Sequence, residues 1–180
     1  SGLASAGATL IINGNSSQEK IDNAVNEYRA KGFNAFGYKF NVTNEDEVIA
    51  AVDQIEADHG PIDILVNNAG ISPKAPGGGR LSTLDTDLRT WGQVFHVNFF
   101  ASIVLARGFK DELAAAKGSV VNVTSIAGVR VHPFAGAAYA TSKAAMIGPC
   151  ATSRVAAPAW LCSLSKYSRH SADTDAGSAR

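Results

Sequence analysis

The chain has 180 residues, 46% of them hydrophobic, which suits one globular domain and is too apolar for a disordered polypeptide. Lys and Arg number 16, as do Asp and Glu, so there is no basic field to attract nucleic acid or an anionic membrane surface. We recognise no apolar run long enough to span a membrane and no signal peptide, and therefore expect a cytoplasmic protein whose partners include neither nucleic acid nor membrane.

The first forty residues alternate helical and strand patterns. Residues 1–7 are typical of the end of a helix, and the apolar, β-branched run at 8–13 predicts a buried parallel strand. An amphipathic helix is predicted over 18–31, because its apolar residues recur at helical spacing. A second strand is predicted over 34–40.

A third helix and strand follow. Thr43 or Asn44 is expected to cap a helix over 45–59, whose acidic first turn suits the helix dipole. The apolar run at 62–66 predicts a third strand.

The remaining pattern continues this alternation. Residues 72–80 are predicted to form a loop, 87–107 a long helix and 118–123 a fourth strand, and another helix begins near Tyr139. Strands alternating with helices at short spacing predict an α/β fold, with a parallel sheet covered on both faces.

The composition changes after Gly148. Residues 149–180 are rich in Ser, Ala and Arg and show no sustained apolar period, so we predict an irregular segment distinct from a domain at 1–148. Cys150 and Cys162 lie in this segment and form neither a disulfide framework nor a zinc pattern. The four histidines show no paired spacing either, and no metal site is predicted.

The first feature with chemical meaning is the turn Asn67-Asn68-Ala69-Gly70 directly after a predicted strand. Ligands of doubly wound sheets bind just beyond the carboxyl ends of the strands, and small residues there allow close approach to the backbone. A plain strand-to-helix turn is the alternative interpretation.

A second feature is the pair Tyr139 and Lys143, which lie on the same helix face because they are four residues apart. A nearby ammonium favours the charged form of a phenol, and such a pair can exchange a proton with an alcohol or carbonyl oxygen. Ser125, at the end of the fourth strand, could hold that oxygen. The alternatives are an exposed helix pair and a capping serine.

These residues, taken in order with Asn98, closely resemble the short-chain dehydrogenase/reductase family over residues 1 to about 148. Residues 1–71 look most like gluconate 5-dehydrogenases, and 72–148 more like 3-oxoacyl-carrier-protein reductases. The resemblance implies a Rossmann-like doubly wound parallel sheet. It also implies hydride transfer between NAD(P)(H) and an alcohol or ketone of sugar-acid or 3-oxoacyl type, in a homotetramer or homodimer.

By the same resemblance, Tyr139 is the catalytic acid/base and Ser125 orients and polarises the substrate carbonyl. Lys143 activates the tyrosine and binds the nicotinamide ribose, and Asn98 supports a water-linked proton relay to the lysine.

The resemblance also assigns cofactor contacts, beside those of Tyr139 and Lys143, to Asn13, Asn41, Val42, Asn68, Ala69 and Gly70. The three residues of the Asn-Ala-Gly turn would line the adenosine-ribose side, and Asn41 and Val42 would lie beside the adenine. No carboxylate follows the first strand over 13–17, and a cation, Lys20, is near. NADP(H) is therefore favoured over NAD(H), because nothing there repels a 2′-phosphate.

Compared with the family, this sequence begins inside the helix that follows the phosphate-binding turn. We therefore expect two parts of the family fold to be lacking: its first strand, which would precede the strand at 8–13, and its C-terminal part. A gap or a foreign strand pairing is then expected between Leu10 and Leu65. On that expectation, cofactor affinity would be negligible. A non-catalytic product, truncated or frameshifted, is the alternative to an oxidoreductase.

Overall fold

The computed structural model describes residues 2–148 and 163–165, which form helices and short parallel strands. The helices are α1 (Gly2–Ser5), α2 (Gln18–Ala30), α3 (Glu45–His59), α4 (Leu88–Phe95), α5 (Ala101–Gly108), α6 (Lys110–Ala115) and α7 (Ala137–Ala145). The strands are β1 (Leu10–Gly14), β2 (Ala35–Lys39), β3 (Ile64–Asn67), β4 (Ser119–Val123) and β5 (Ser163–Ser165). A π-helical turn (His96–Phe100) joins α4 to α5, and a 3₁₀ turn (Ile126–Gly128) follows β4. None of the helices described is both long and apolar enough to cross a membrane.

The strands form two parallel sheets, which confirms the predicted α/β class. β1 pairs with β2, starting with Leu10 opposite Ala35, and β4 pairs with both β3 and β5. The short strand β5 lies in the segment 149–180, which was predicted to be irregular; three residues are too few to show a period. The rest of that segment, including Cys150 and Cys162, lies outside the described residues.

A gap separates the two sheets, as the sequence predicts for the region between Leu10 and Leu65. In the described part of the chain, β1 and β3 share no hydrogen-bonded ladder. On β3, Ile64 and Val66 are each 41% exposed, although the alternate residues Leu65 and Asn67 are buried. One edge and one face of β3 are therefore open.

Side chains, and not backbone hydrogen bonds, connect the two sheets. The main hydrophobic core lies under α3 and α5 and consists of Phe40, Val42, Val48, Val52, Ile55, Leu65, Ala101, Leu105, Phe109, Leu113 and Val120. Ile11 of β1 and Tyr38 of β2 pack against this cluster, so it spans both sheets. A smaller cluster of Ile21, Val25 and Ala35 packs α2 against the first sheet.

The helix starts follow the predicted capping chemistry. Asn44, not Thr43, caps α3, since its side chain accepts hydrogen bonds from the backbone of Asp46 and Glu47. Asp87 caps α4 through the backbone N of Thr90 at 2.8 Å. These caps fix where α3 and α4 begin.

Tyr38 makes the stability of the fold depend on pH in the alkaline range. Its hydroxyl contacts Oδ2 of Asp58 and Nε2 of His59, each at 2.7 Å. Partial burial, reinforced by Asp58, raises the pKa of Tyr38 to about 12 from 10.0. Because the folded state holds this proton more tightly, the stabilisation is complete below pH 10.0 and is lost as the pH rises through about 12.

We therefore expect Tyr38→Phe to be less stable than the wild type below pH 10.0, with the difference shrinking between pH 10.0 and about 12. Urea unfolding of both proteins across this range measures the difference and cancels the titration of other groups. A difference that stays constant with pH would contradict the assignment.

Candidate functional site

The carboxamide of Asn98 ties the turn after β3 to helix α7. Asn98 lies in the π-helical turn and is 1% exposed. Its Oδ1 accepts a hydrogen bond from the backbone N of Ile71 at 2.7 Å, and its Nδ2 donates to the carbonyl of Ile71 at 3.0 Å. Nδ2 also donates to Oγ of Ser142 at 3.0 Å. Asn98 thus joins three elements, and π-helical turns of this kind are frequent at functional sites.

Lys143 is buried against the end of β4. The residue is 4% exposed, and its Nζ donates a hydrogen bond to the carbonyl of Val123 at 2.8 Å. Burial lowers the pKa of this amine from its usual value. Val123 is its hydrogen-bond partner in the described part of the chain, so further donor capacity remains for a polar ligand.

Ser125 and Tyr139 come from two elements that pack directly together. Oγ of Ser125 accepts a hydrogen bond from the backbone N of Ala127 at 3.2 Å, which caps the 3₁₀ turn. That turn packs against α7 in the region of Lys143. Tyr139 is half-buried one helical turn before Lys143. Ser125 therefore does cap the 3₁₀ turn, but its oxygen retains a second lone pair and its own proton, so its catalytic role stays a prediction.

Ser142 is a buried residue of this site that sequence reasoning missed. It is fully buried, with 0% exposure, and its Oγ donates to the carbonyl of Tyr139 at 2.8 Å while accepting from Asn98. The hydroxyl thus connects the two predicted site residues. The available signal was its position next to Lys143 on the inward face of α7.

We predict that Ser142→Ala lowers the free energy of unfolding by about 1–3 kcal/mol, because it leaves one amide hydrogen of buried Asn98 unpaired. Urea denaturation measures the loss. Ser102→Ala is the matched control, since the partly buried Ser102 hydroxyl donates to a helix carbonyl, that of Phe99, and a smaller loss is expected. Equal losses in the two variants would show that the Asn98 contact carries no special weight.

The turn Asn68-Ala69-Gly70 is exposed beside these groups. A Cβ added at Gly70 would lie 3.4 Å from Oδ1 of Asn98 and 3.6 Å from Nζ of Lys143. The absence of a side chain at Gly70 therefore leaves the space next to Nζ of Lys143 and Oδ1 of Asn98 unfilled. An open backbone with an amine of unfilled donor capacity fits the hydroxyl-rich ribose of a nicotinamide cofactor.

Of the three other predicted cofactor residues, Asn13 lies in β1, whereas Asn41 and Val42 follow the end of β2. Nδ2 of Asn13 donates to the carbonyl of Phe40 at 3.1 Å, and Oδ1 of Asn41 accepts from both the N and the Oγ1 of Thr43. Val42 is buried in the main core. A cleft of about 350 Å³ separates this region from the π-helical turn; its lining includes Asn15, Asn41, Thr43, Gln93, His96 and Val97.

Comparison with known proteins gives a consistent result. The family model described as short chain dehydrogenase matches residues 1–157 and so continues past Gly148 into the segment predicted to be distinct. The 2-dehydro-3-deoxy-D-gluconate 5-dehydrogenase of Formosa agariphila is 44% identical over 126 residues, covering 69% of this chain and 46% of that protein.

Solved structures agree with the sequence match. A gluconate 5-dehydrogenase from Burkholderia cenocepacia, in complex with NADP and tartrate, is 31% identical with a TM-score of 0.73, covering 86% of this chain and 58% of that chain. An oxidoreductase from Brucella ovis, in complex with a partially ordered NAD, is 40% identical with a TM-score of 0.66, covering 82% of this chain and 76% of that chain. The chain spans about half the length, or less, of the curated relatives that it matches.

Proposed function

The chain belongs to the short-chain dehydrogenase family, and from that premise we propose that it is an NAD(P)-dependent oxidoreductase acting on an alcohol or ketone. The observation that supports the proposal is that the side chains of Asn98 and Lys143 both lie next to Gly70. An exposed small-residue turn, a buried amine and a neighbouring tyrosine provide both a place for the nicotinamide ribose and a group for proton transfer. The nicotinamide supplies or accepts the hydride when it is bound.

The residues of this chain then have separate tasks. The Tyr139 hydroxyl gives its proton to the substrate oxygen as a carbonyl becomes an alcohol, and takes it back in the reverse direction. Ser125 donates a hydrogen bond to the same oxygen and fixes its position. Lys143 binds the ribose and places its amine on the same helix face as Tyr139. Asn98, with Ser142 as a positioning residue, holds this helix against the turn.

The cofactor preference is proposed from the residues after β1. No carboxylate occurs over 13–17 to repel a 2′-phosphate, and Lys20 is a nearby cation, which supports NADP(H) over NAD(H). The two solved relatives described above contain NADP in one case and NAD in the other. Competition between NADPH and NADH in one binding assay tests the preference.

The proposed substrate is a sugar acid, with 3-oxoacyl compounds as the second class. The Formosa and Burkholderia relatives are named for gluconate-type substrates, which supports the first class. The experiment follows absorbance of the reduced nicotinamide with purified protein and a panel of both ketone types. Ketone-dependent oxidation supports the proposal, whereas failure of every ketone together with no NADPH binding by calorimetry supports the non-catalytic alternative.

We also propose a homodimer or homotetramer. An aromatic series runs along α4 and the π-helical turn, where Trp91 stacks on Phe95 at 6.2 Å and Phe95 contacts Phe99 at 6.3 Å between ring centroids. Phe100 in the same series is 45% exposed. A self-complementary apolar helix face suits a two-fold contact, and light scattering of the purified protein measures its mass.

A further inference from the structure

A cavity of about 280 Å³ lies between the loop that precedes α4 and the loop that precedes α7. Polar residues from both loops contribute to its lining: Arg80, Ser82, Thr83, Arg130 and His132. The side of the cavity formed by α7 consists of small residues, including Ala137 and Ala140. The cavity is therefore wide enough for a small molecule and carries hydrogen-bond donors around a small-residue wall.

The cavity adjoins the proposed reaction site. Ala127 lines it and donates its backbone N–H to Oγ of Ser125. Ala140 also lines it and directly follows Tyr139 in α7. The cavity thus approaches the two proposed catalytic residues through their neighbours, Ala127 for Ser125 and Ala140 for Tyr139.

The two segments that form the cavity are positively charged. Residues 72–84 and 126–140 contain Lys74, Arg80 and Arg130 but neither Asp nor Glu, and the first acidic residue after 72–84 is Asp85, although acidic and basic residues number 16 each over the whole chain. Such a local excess of one sign attracts small ions of the opposite sign into a cleft.

Both cavity arginines are available for a ligand. Within the described residues, neither the Arg80 nor the Arg130 guanidinium has a hydrogen bond or an ion pair. The Asp85 carboxylate accepts a hydrogen bond from the Ser82 hydroxyl and pairs with no arginine. Free guanidinium groups bind carboxylates well, because their planar donors match the two oxygens.

Hydrogen bonds hold the two loops in place. Nζ of Lys74 donates to the carbonyl of Phe134 at 2.6 Å, and the backbone N of Ala137 donates to the carbonyl of Leu81 at 3.0 Å. These links join segments about sixty residues apart in sequence. The cationic rim therefore exists before a ligand arrives, which reduces the entropy lost on binding.

We propose that this cavity binds the carboxylate end of a hydroxy-acid or keto-acid substrate through Arg80 and Arg130, and so selects sugar acids over neutral alcohols and 3-oxoacyl thioesters. The inference rests on the proposed function for the identity of the ligand as substrate. The carboxylate lies at the arginines, and the hydroxyl or ketone further along the molecule reaches Ser125 and Tyr139.

The test is calorimetric titration of the 180-residue chain with gluconate and with sorbitol, which keeps the hydroxylated carbon chain and lacks the carboxylate. Gluconate should bind at least about tenfold more tightly than sorbitol, since a hydrogen bond to a charged group has about that effect. Arg80→Gln and Arg130→Gln should each lower the affinity for gluconate about tenfold and leave the affinity for sorbitol unchanged. Arg107→Gln, an exposed arginine of α5, is the matched control and should change neither affinity.

Further arms exclude trivial explanations. Arg80→Lys and Arg130→Lys keep the positive charge and should bind gluconate more tightly than the glutamine variants. Such a recovery would show that the glutamine variants lose affinity because the charge is absent and not because the protein is unfolded. Added salt should lower the affinity for gluconate, which is charged, and leave the affinity for sorbitol unchanged. Equal affinities for gluconate and sorbitol, no gluconate binding, or wild-type gluconate affinity in both glutamine variants would overturn the proposal.

The outcome separates this inference from the proposed function. If neutral ketones oxidise the reduced nicotinamide as well as keto acids do, the proposed oxidoreductase function stands and the proposed carboxylate site is refuted. Arginine-dependent gluconate binding without hydride transfer to any ketone would keep the anion site and refute its role in a reductase.

Discussion

Replacing Tyr139 by phenylalanine should lower turnover in ketone reduction by about 10²–10⁴-fold, the usual contribution of a general acid/base. The ring remains, so half-buried packing in α7 is kept and only the transferable proton is lost. Initial rates of reduced-nicotinamide oxidation, measured for wild type and variant at saturating ketone, give the ratio directly.

Tyr28→Phe is the matched control for this change. Tyr28 packs against the small cluster under α2, away from α7, and its variant should keep wild-type turnover. Thermal unfolding of both variants shows whether each remains folded. Near-wild-type turnover in the Tyr139 variant would remove this residue from its proposed role.

Gly128→Ala should disrupt the site without touching any catalytic side chain. A Cβ at Gly128 would lie 2.7 Å from the backbone N of Ala144 and 2.8 Å from the carbonyl carbon of Lys143, closer than atoms in contact can approach. Helix α7 must therefore move away from the 3₁₀ turn that carries Ser125. Overpacking of this kind costs about 1–3 kcal/mol of stability, and a displacement of about 1 Å can reduce turnover about 10²-fold.

Urea denaturation and the same nicotinamide assay measure the two effects. Gly92→Ala is the matched control, because it makes the same chemical change inside α4, where the new Cβ has no described atom within 4 Å apart from its chain neighbours and the backbone of its own helix. Its helix should become more stable by about 0.5–1 kcal/mol. If Gly128→Ala kept both stability and turnover, close contact between the turn and α7 would not be required.

The strands follow from the sequence because each is a short apolar run next to a turn or helix signal. Four strands were predicted, at 8–13, 34–40, 62–66 and 118–123, and all four form within two residues of those bounds. The long helix predicted over 87–107 also forms, but with a π-helical turn in its middle. That turn accompanies contacts of Asn98 with Ile71 and Ser142, which no local pattern contains.

The site was predicted only in part for the same reason. Residue types and spacing single out Ser125, Tyr139 and Lys143, because their chemistry is unusual at the ends of strands and on a helix face. The meeting of Arg80 with Arg130 around one cavity depends on loop contacts between distant segments, such as Lys74 with Phe134. Sequence shows the excess of charge in each loop but not their proximity.

The gap between the sheets has a consequence for how the molecule opens. Within the described residues, β1–β2 and β3–β4 share no hydrogen-bonded ladder, and side chains of the main core pack between them. Amide hydrogens of β1 and β2 can therefore exchange with deuterium by a sub-global opening that leaves β3 and β4 protected. A truncation in the shared core, such as Val48→Ala in α3, should lower the free energy of that opening. The amide hydrogens of the two halves should then exchange more independently, which would show that the core contacts of α3 couple the unfolding of one half to that of the other.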